Sequence, residues 1–396
     1  MLNTRKKRLA VGFALTAVLG TQLSMGSAQA DPKQLSALVG VGSDTTQDVS
    51  NAFAGFSDGI YYTPIRSSTA SLARQVISFD ATPPAGAGDN CIITRVSAPG
   101  FQRPNGSGNG RAALSRALDG NRWGSADCGG LVDVNGLIDY ARSSSSAGPI
   151  VVNGPLTQIP FARDAMSFAY KRNGGLGGAI TSLTAAEITS LYNTGTLVKN
   201  NGTENVTIIP CGIQQGSGTY SFWLGRTGGV SNDNLNTVTC NNLGGTGRLQ
   251  ENDPVGLAAK AALAPAGTQV IIGFSAANFI AKSNLVATPN PVTSGVNLGF
   301  IDGVAPFTGT GTSLAANAPF YATSFGRFIF NVLPTGILVG AGNIDIKTMF
   351  VGTSSAVCQA TTTIQTFGFL PLTGTGVNAC GDTTQLRGFE PGNSNV

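Results

Sequence analysis

The chain contains no histidine. That removes histidine-based triads, histidine metal sites and imidazole acid–base catalysis together. Charge is also scarce, with only 11% of residues being Asp, Glu, Lys or Arg. The formal net charge of +4 includes Arg5, Lys6, Lys7 and Arg8, so the remainder of the chain is close to neutral. No basic stripe suits nucleic acid or an anionic membrane, and neither is expected as a partner. There is no CxxC pair, which weighs against zinc and dithiol redox sites, and no GxSxG, which together with the missing histidines weighs against a hydrolase. Glycine is plentiful, at 54 residues, but follows no Gly-X-Y period. No cofactor and no metal are expected.

The N-terminus has three zones. The four basic residues at 5–8 precede an apolar stretch, 9–19, that is too short to span a bilayer. Ala28-Gln29-Ala30 then supplies the small residues of a signal-peptidase site, so residues 1–30 read as a signal peptide cleaved after Ala30. The expected location is secreted or periplasmic. The first cysteine is Cys91, so no lipid anchor is expected just after cleavage. Six cysteines, an even number in an exported chain, favour disulfides. Sequence alone leaves the connectivity open; pairing neighbours is simplest, giving Cys91–Cys128, Cys211–Cys240 and Cys358–Cys380.

The remaining chain is too long for one ordinary core and suits two domains. Short apolar strands alternate with short helices, which predicts α/β architecture. Residues 36–42 read as a buried strand before a helix, with Asp44 and Gln47 spaced as a capping box. Residues 111–118 read as a helix stopped by Gly120, and 137–141 as a strand running into Arg142 and four serines. After Pro160 the chain reads as strand at 165–170, 206–210 and 269–275, with helices at 184–194 and 220–224. Thr184 and Glu187 form a second capping-box spacing, closed by Gly195.

Four Gly/Ser/Thr-rich loops each follow a strand and open a helix: Gly42-Ser-Asp-Thr-Thr46, Asn105-Gly-Ser-Gly108, Arg142-Ser-Ser-Ser145 and Gly216-Ser-Gly-Thr219. A helix N-terminus offers unpaired N–H groups and the positive end of a dipole, and hydroxyl donors added to it make an anion site. A single such loop is an ordinary cap or turn; four at strand–helix junctions point to a common ligand.

On these loops the chain resembles the phosphate-binding proteins of ABC transporters, in a disulfide-rich variant. The resemblance covers most of residues 36–285 and is looser beyond. Gly216-Ser-Gly-Thr219, with Tyr220, Phe222 and Trp223 behind it, is its strongest element. Gly40-Val-Gly-Ser-Asp-Thr-Thr46, Asn105-Gly-Ser-Gly108, Ile138-Asp-Tyr-Ala-Arg-Ser143, the stretch 184–195 and Ile271-Ile-Gly-Phe-Ser275 follow in family order. The resemblance implies a two-lobed, type 2 periplasmic-binding-protein-like fold with the ligand cleft between lobes. Lobe one is expected at 31–162 plus 286–396 and lobe two at 163–285, with hinge crossovers near Pro160 and Asn284. It implies a monomeric, non-enzymatic receptor for phosphate or a related oxyanion, with a transporter permease as a further partner.

The ligand set it implies is Thr45, Thr46, Ser107, Ser143, Ser144, Ser217, Gly218 and Thr219. The chain departs from the family pattern at two places. Ile213 stands where the family has an arginine, and Ser144 where it has an aspartate that accepts the proton of hydrogen phosphate. Arg142 and Asp44 are the candidate substitutes, Asp44 having an ordinary N-cap role as its alternative and Arg142 a salt bridge. Gln215, with Gln214, is a candidate amide donor, and Arg163 near the crossover a weaker candidate cation. Trp123 and Trp223 read as core, and Arg111 and Arg116 as solvated helix positions. Two other readings stay open: the same fold holding a neutral polar solute, and a secreted or surface interaction protein without a transport role.

Overall fold

The computed structural model describes residues 37–67, 73–83, 90–228, 238–339 and 343–391. The signal peptide expected at residues 1–30 lies outside the described residues. One 11-stranded mixed sheet organises the chain. Its ordered path uses β1 (Leu38–Gly42), β2 (Val76–Ser78), β3 (Tyr140–Ser143), β4 (Leu156–Arg172), β5 (Leu197–Asn200), β6 (Asn205–Pro210), β7 (Gln269–Ser275) and β8 (Gly326–Pro334), in the spatial order β5-β6-β7-β4-β8-β3-β1-β2. The helices include α1 (Gln47–Phe53), α2 (Ser107–Asp119), α3 (Ala185–Thr194), α4 (Gly218–Arg226) and α5 (Ala276–Ser283); α1, α2 and α4 open at the first, second and fourth loops, whereas the third loop, expected to open a helix, does not. The fold is α/β, as expected.

β4 holds the two ends of the sheet together. Its 17 residues are buried almost throughout, which suits a strand covered on both faces. The first half, through Ala165, pairs antiparallel with β8; the second half, from Met166, pairs antiparallel with β7. The sequence predicts strand only from 165, with a crossover near Pro160. The chain instead runs through Pro160, and the register with β8 shifts between Pro160 and Ala162. A bulge of this kind accommodates a residue that lacks a ladder donor.

The buried apolar side chains divide along β4. Ala165, Phe168, Trp223, Ile271 and Phe325 belong to one cluster, and residues 296–325 contribute Val296, Leu298, Ile301, Phe320 and Tyr321 to it. At the other end, neighbouring residues of one strand face different clusters. Leu38 and Ile329 pack with Phe53 and Phe161, whereas Val39 and Phe330 pack with Trp123 and Ala141. That alternation is the two-residue period of a sheet covered on both faces. Both tryptophans are core residues.

The three disulfides pair neighbours along the chain: Cys91–Cys128, Cys211–Cys240 and Cys358–Cys380. Thr184 and Glu187 form the expected capping box, with Glu187 N donating to Thr184 Oγ1 at 3.1 Å and Thr184 N to Glu187 Oε2 at 2.7 Å. The capping box expected at Asp44 and Gln47 does not form. α1 begins at Gln47 after Thr46, with no side-chain cap. Gln47 Oε1 instead accepts from Ala81 N at 2.9 Å, and the Asp44 carboxylate is engaged elsewhere.

Candidate functional site

The four loops meet beside the middle of β4, where its neighbour changes from β8 to β7. Gly42, at the end of β1, has φ +112, and a Cβ there would lie 2.8 Å from Arg142 O and 3.0 Å from Gly110 Cα. A side chain would therefore push the first loop off the third loop and α2. The turn delivers Thr45 into the interior. Its hydroxyl lies 2.9 Å from Thr219 Oγ1, 3.2 Å from Glu251 Oε2, 3.3 Å from Arg327 Nη2 and 3.4 Å from Asn252 Nδ2. A hydroxyl has one proton and two acceptor sites. Arginine and asparagine can only donate to it here, so its own proton goes to Glu251 or Thr219.

Arg327 is set by strand register. Asp164 on β4 and Arg327 on β8 are direct cross-strand partners. Asp164 Oδ2 accepts from Arg327 Nε at 3.0 Å and Nη2 at 2.7 Å, while Oδ1 accepts from Ser275 Oγ at 2.9 Å and Ala277 N at 3.1 Å. The carboxylate is saturated and the guanidinium is locked in orientation. Arg327 Nη2 also donates to Thr219 Oγ1 at 3.0 Å. Arg327 Nη1 is buried without a hydrogen-bond partner among the described residues, and the guanidinium carbon stands 5.6 Å from the Phe222 ring centroid.

The serines lie one helical residue away. Ser107 opens α2 and accepts from Ser144 N at 2.9 Å, with Ser144 Oγ at 3.2 Å. Gly218 opens α4 against both, since a Cβ there would lie 2.3 Å from Ser107 Oγ and 2.8 Å from Ser144 Oγ. Gly108 N donates to Gly216 O at 2.9 Å, joining the second loop to the fourth. Ser217 caps α4 by accepting from Tyr220 N at 3.0 Å. Two helix N-termini and a guanidinium thus converge on one buried cluster of hydroxyls, an arrangement suited to negative charge.

Glu251 is the acceptor end of this network. It is 1% exposed; its Oε1 lies 3.4 Å from Gln214 Nε2, and its backbone N–H donates to Gln214 Oε1 at 2.6 Å. Burial and the nearby Asp44 push its carboxyl up to about 7, against hydrogen bonds from Thr219 and Ser217 and the charge of Arg327. Asp44 is also raised, first by burial, although Lys282 and hydrogen bonds from Asn252 and Gln250 oppose the shift.

The residues proposed from sequence are distributed unevenly. Thr45, Ser107, Ser144, Ser217, Gly218 and Thr219 come together. Thr46 is buried, and its hydroxyl has no hydrogen-bond partner among the described residues. Ser143 Oγ accepts from Arg111 Nη1 at 2.6 Å and donates to Ser145 O at 2.7 Å. Asp44 stands at the side, accepting from Asn252 Nδ2 at 2.8 Å. Gln215 is exposed, and Gln214 is the one turned inward. The Arg142 guanidinium is fully buried but faces the end of β1, donating to the carbonyls of Gly40, Gly42 and Ser43 and to Ser78 Oγ. Arg163 lies over the Phe328 ring, 4.8 Å from its centroid. Arg111, read as solvated, is buried between Ser143 and Glu390 because α2 packs against the C-terminal segment.

Similar solved structures are phosphate-binding proteins. They include PstS from Borrelia burgdorferi, at 13% identity and TM-score 0.39 over 85% of this chain and 99% of that one. An ABC-type phosphate transport receptor from Vibrio cholerae matches at 11% and 0.43 over 84% and 99%. A phosphate-binding protein from Stenotrophomonas maltophilia matches at 14% and 0.42 over 85% and 91%. No family model and no curated protein matches the chain.

Arg327, Asp164, Glu251 and Asn252 were not singled out from sequence. The available signal was charge inside apolar runs, Asp164 in Phe161-Ala-Arg-Asp-Ala-Met and Arg327 in Phe325-Gly-Arg-Phe-Ile-Phe330. In a chain so poor in charge, an ionised residue in a buried strand needs a partner or a ligand. Contact at Gly218 gives a direct test of whether the cluster must close to bind. Gly218→Ala places a methyl among Ser107 and Ser144, and is expected to weaken ligand affinity at least tenfold while leaving the thermal midpoint within a few degrees. Calorimetry and a melting curve on the same sample check both.

Proposed function

We propose that this chain is an exported, non-catalytic receptor that closes two lobes around an oxyanion, phosphate being the first candidate. The observation that carries this reading is Arg327: a buried guanidinium, fixed by Asp164, with Nη1 unpartnered beside hydroxyls contributed from both ends of β4. Here Arg327 takes the part assigned from sequence to Arg142. Thr45, Ser107, Ser144 and Thr219 donate from their hydroxyls, and the first turns of α2 and α4 add backbone N–H groups. The lobes are taken to divide at β4 near residue 163 and at the start of β8, so that the stretch to Phe325 belongs with lobe two, as its packing supports. Ligand bridging the lobes shifts the population toward the closed form. Delivery to a transporter permease and a monomeric state complete the reading.

Calorimetry of the mature protein with phosphate, arsenate, molybdate and sulfate tests it. Saturable one-to-one binding of at least one of them is expected, and silence with all four rejects it. A neutral polyol is the second reading, favoured by the two buried carboxylates Asp44 and Glu251, which accept hydroxyl protons. Binding that is insensitive to salt, to a sugar and to none of the anions, would select it.

A further inference from the structure

The charges around the hydroxyl cluster do not balance for an incoming anion. Arg327 is matched by Asp164. Glu251 forms no salt bridge among the described residues, and its carboxylate already lies within hydrogen-bond reach of the Thr45 hydroxyl at 3.2 Å and the amide of Gln214 at 3.4 Å. The charged groups acting on it are Arg327 from β8 and Asp44 from the first loop. With Glu251 ionised, Arg327, Asp164 and Glu251 sum to one negative charge before Asp44 is counted. A second anion brought into this buried space would meet repulsion undiminished by water.

We propose that Glu251 is a tethered anion: its carboxylate occupies the hydroxyl donors that an external oxyanion needs, and oxyanion binding takes place with Glu251 protonated. This inference rests on the oxyanion reading above. Each binding event then takes one proton from solvent, which joins the carboxylate oxygen to give the neutral acid. The neutral acid releases Thr45 Oγ1 and Thr219 Oγ1 to the ligand and turns from a competing acceptor into a donor. Burial, which already raises this carboxyl toward neutrality, makes the protonated form reachable near physiological pH.

Phosphate affinity measured by calorimetry on wild type and Glu251→Gln, from pH 5.5 to 8.5, decides it. The second ionisation of phosphate is common to both proteins and cancels in the ratio of their affinities. Glu251→Gln is expected to match wild type within about twofold at pH 5.5, and to bind roughly tenfold tighter per pH unit above about 7. In two buffers of different ionisation enthalpy at pH 8, wild type should take up about one more proton than the variant. Glu251→Ala, which also removes the carboxylate, should show the same pH trend and serves if the glutamine variant folds poorly. A variant weaker than wild type at every pH would make Glu251 a direct ligand-recognition group and overturn the proposal, as would a ratio that does not change with pH. Absence of phosphate binding in both proteins would instead strike the oxyanion reading itself.

Discussion

Arg327→Met is expected to lose more than a hundredfold in oxyanion affinity and about 3–5 kcal/mol in stability. The two losses have different origins. The affinity falls because Arg327 Nη1 is a buried cation donor without a hydrogen-bond partner among the described residues, and Nη2 orients both threonine hydroxyls. The stability falls because Asp164, wholly buried, loses its counter-charge while keeping only Ser275 Oγ and Ala277 N as donors. Breaking a buried pair from one side leaves an uncompensated charge, whereas removing both partners is often close to neutral. The double variant Asp164→Asn, Arg327→Met should therefore recover most of the stability and none of the affinity. Urea denaturation and calorimetry on the two variants separate these effects. Recovery of binding in the double variant would show that Arg327 acts only as the partner of Asp164. Arg327→Lys keeps a charge but not the bidentate fork, and falls between the two.

Local structure was legible wherever one short rule governs it. The Thr184–Glu187 box, the left-handed Gly120 and Gly195 at helix ends, and the strand 269–275 all depend on neighbours in sequence. Three of the four loops were legible as strand–helix junctions, because such a junction is local; the third, Arg142-Ser-Ser-Ser145, runs on from β3 without opening a helix. The misreadings arose where the decision is tertiary. The strand was read only from 165, but it begins at Leu156 and a bulge absorbs Pro160 where β4 pairs with β8. Asp44 and Gln47 have the spacing of a cap, yet the Asp44 carboxylate finds Asn252 from a segment about two hundred residues away, an attraction no local pattern reports. Arg142 stands in the right loop, but strand alternation turns its side chain toward the β1 carbonyls. The charge at the junction comes from Arg327, visible only once β4 and β8 are in register. The cysteines were the simplest case, with neighbour pairing holding for all three bonds.

The fold is expected to be less stable at pH 8 than at pH 5, the reverse of a protein whose carboxylates are salt-bridged. Asp48, buried at the start of α1, is raised from 3.8 to about 8, mainly by burial and further by Asp58, Asp80 and Asp44, with only Lys282 opposing. Glu251 is raised to about 7. A carboxyl whose folded value lies above its unfolded one holds a proton that the unfolded chain has released. Between about pH 4 and pH 8 the native state therefore binds more protons, and stability falls as pH rises. At about 1.4 kcal/mol per unit, and with Asp44 and Lys282 linking the groups so that they do not simply add, a loss on the order of 4 kcal/mol is expected across this window. Urea midpoints at pH 5, 6.5 and 8 measure it directly. Asp48→Asn mimics the protonated side chain, so it should equal wild type near pH 5 and exceed it at pH 8; parallel curves for the two proteins would reject Asp48 as the source. Lys282→Met removes the one cation opposing the shift and should steepen the loss. The two carboxyls then separate by readout. Asp48→Asn flattens the stability profile and leaves the pH dependence of phosphate affinity in place, because among the described residues no side-chain hydrogen bond joins Asp48 to Thr45, Thr219 or Arg327. Glu251→Gln changes both profiles, because its carboxylate lies within that cluster.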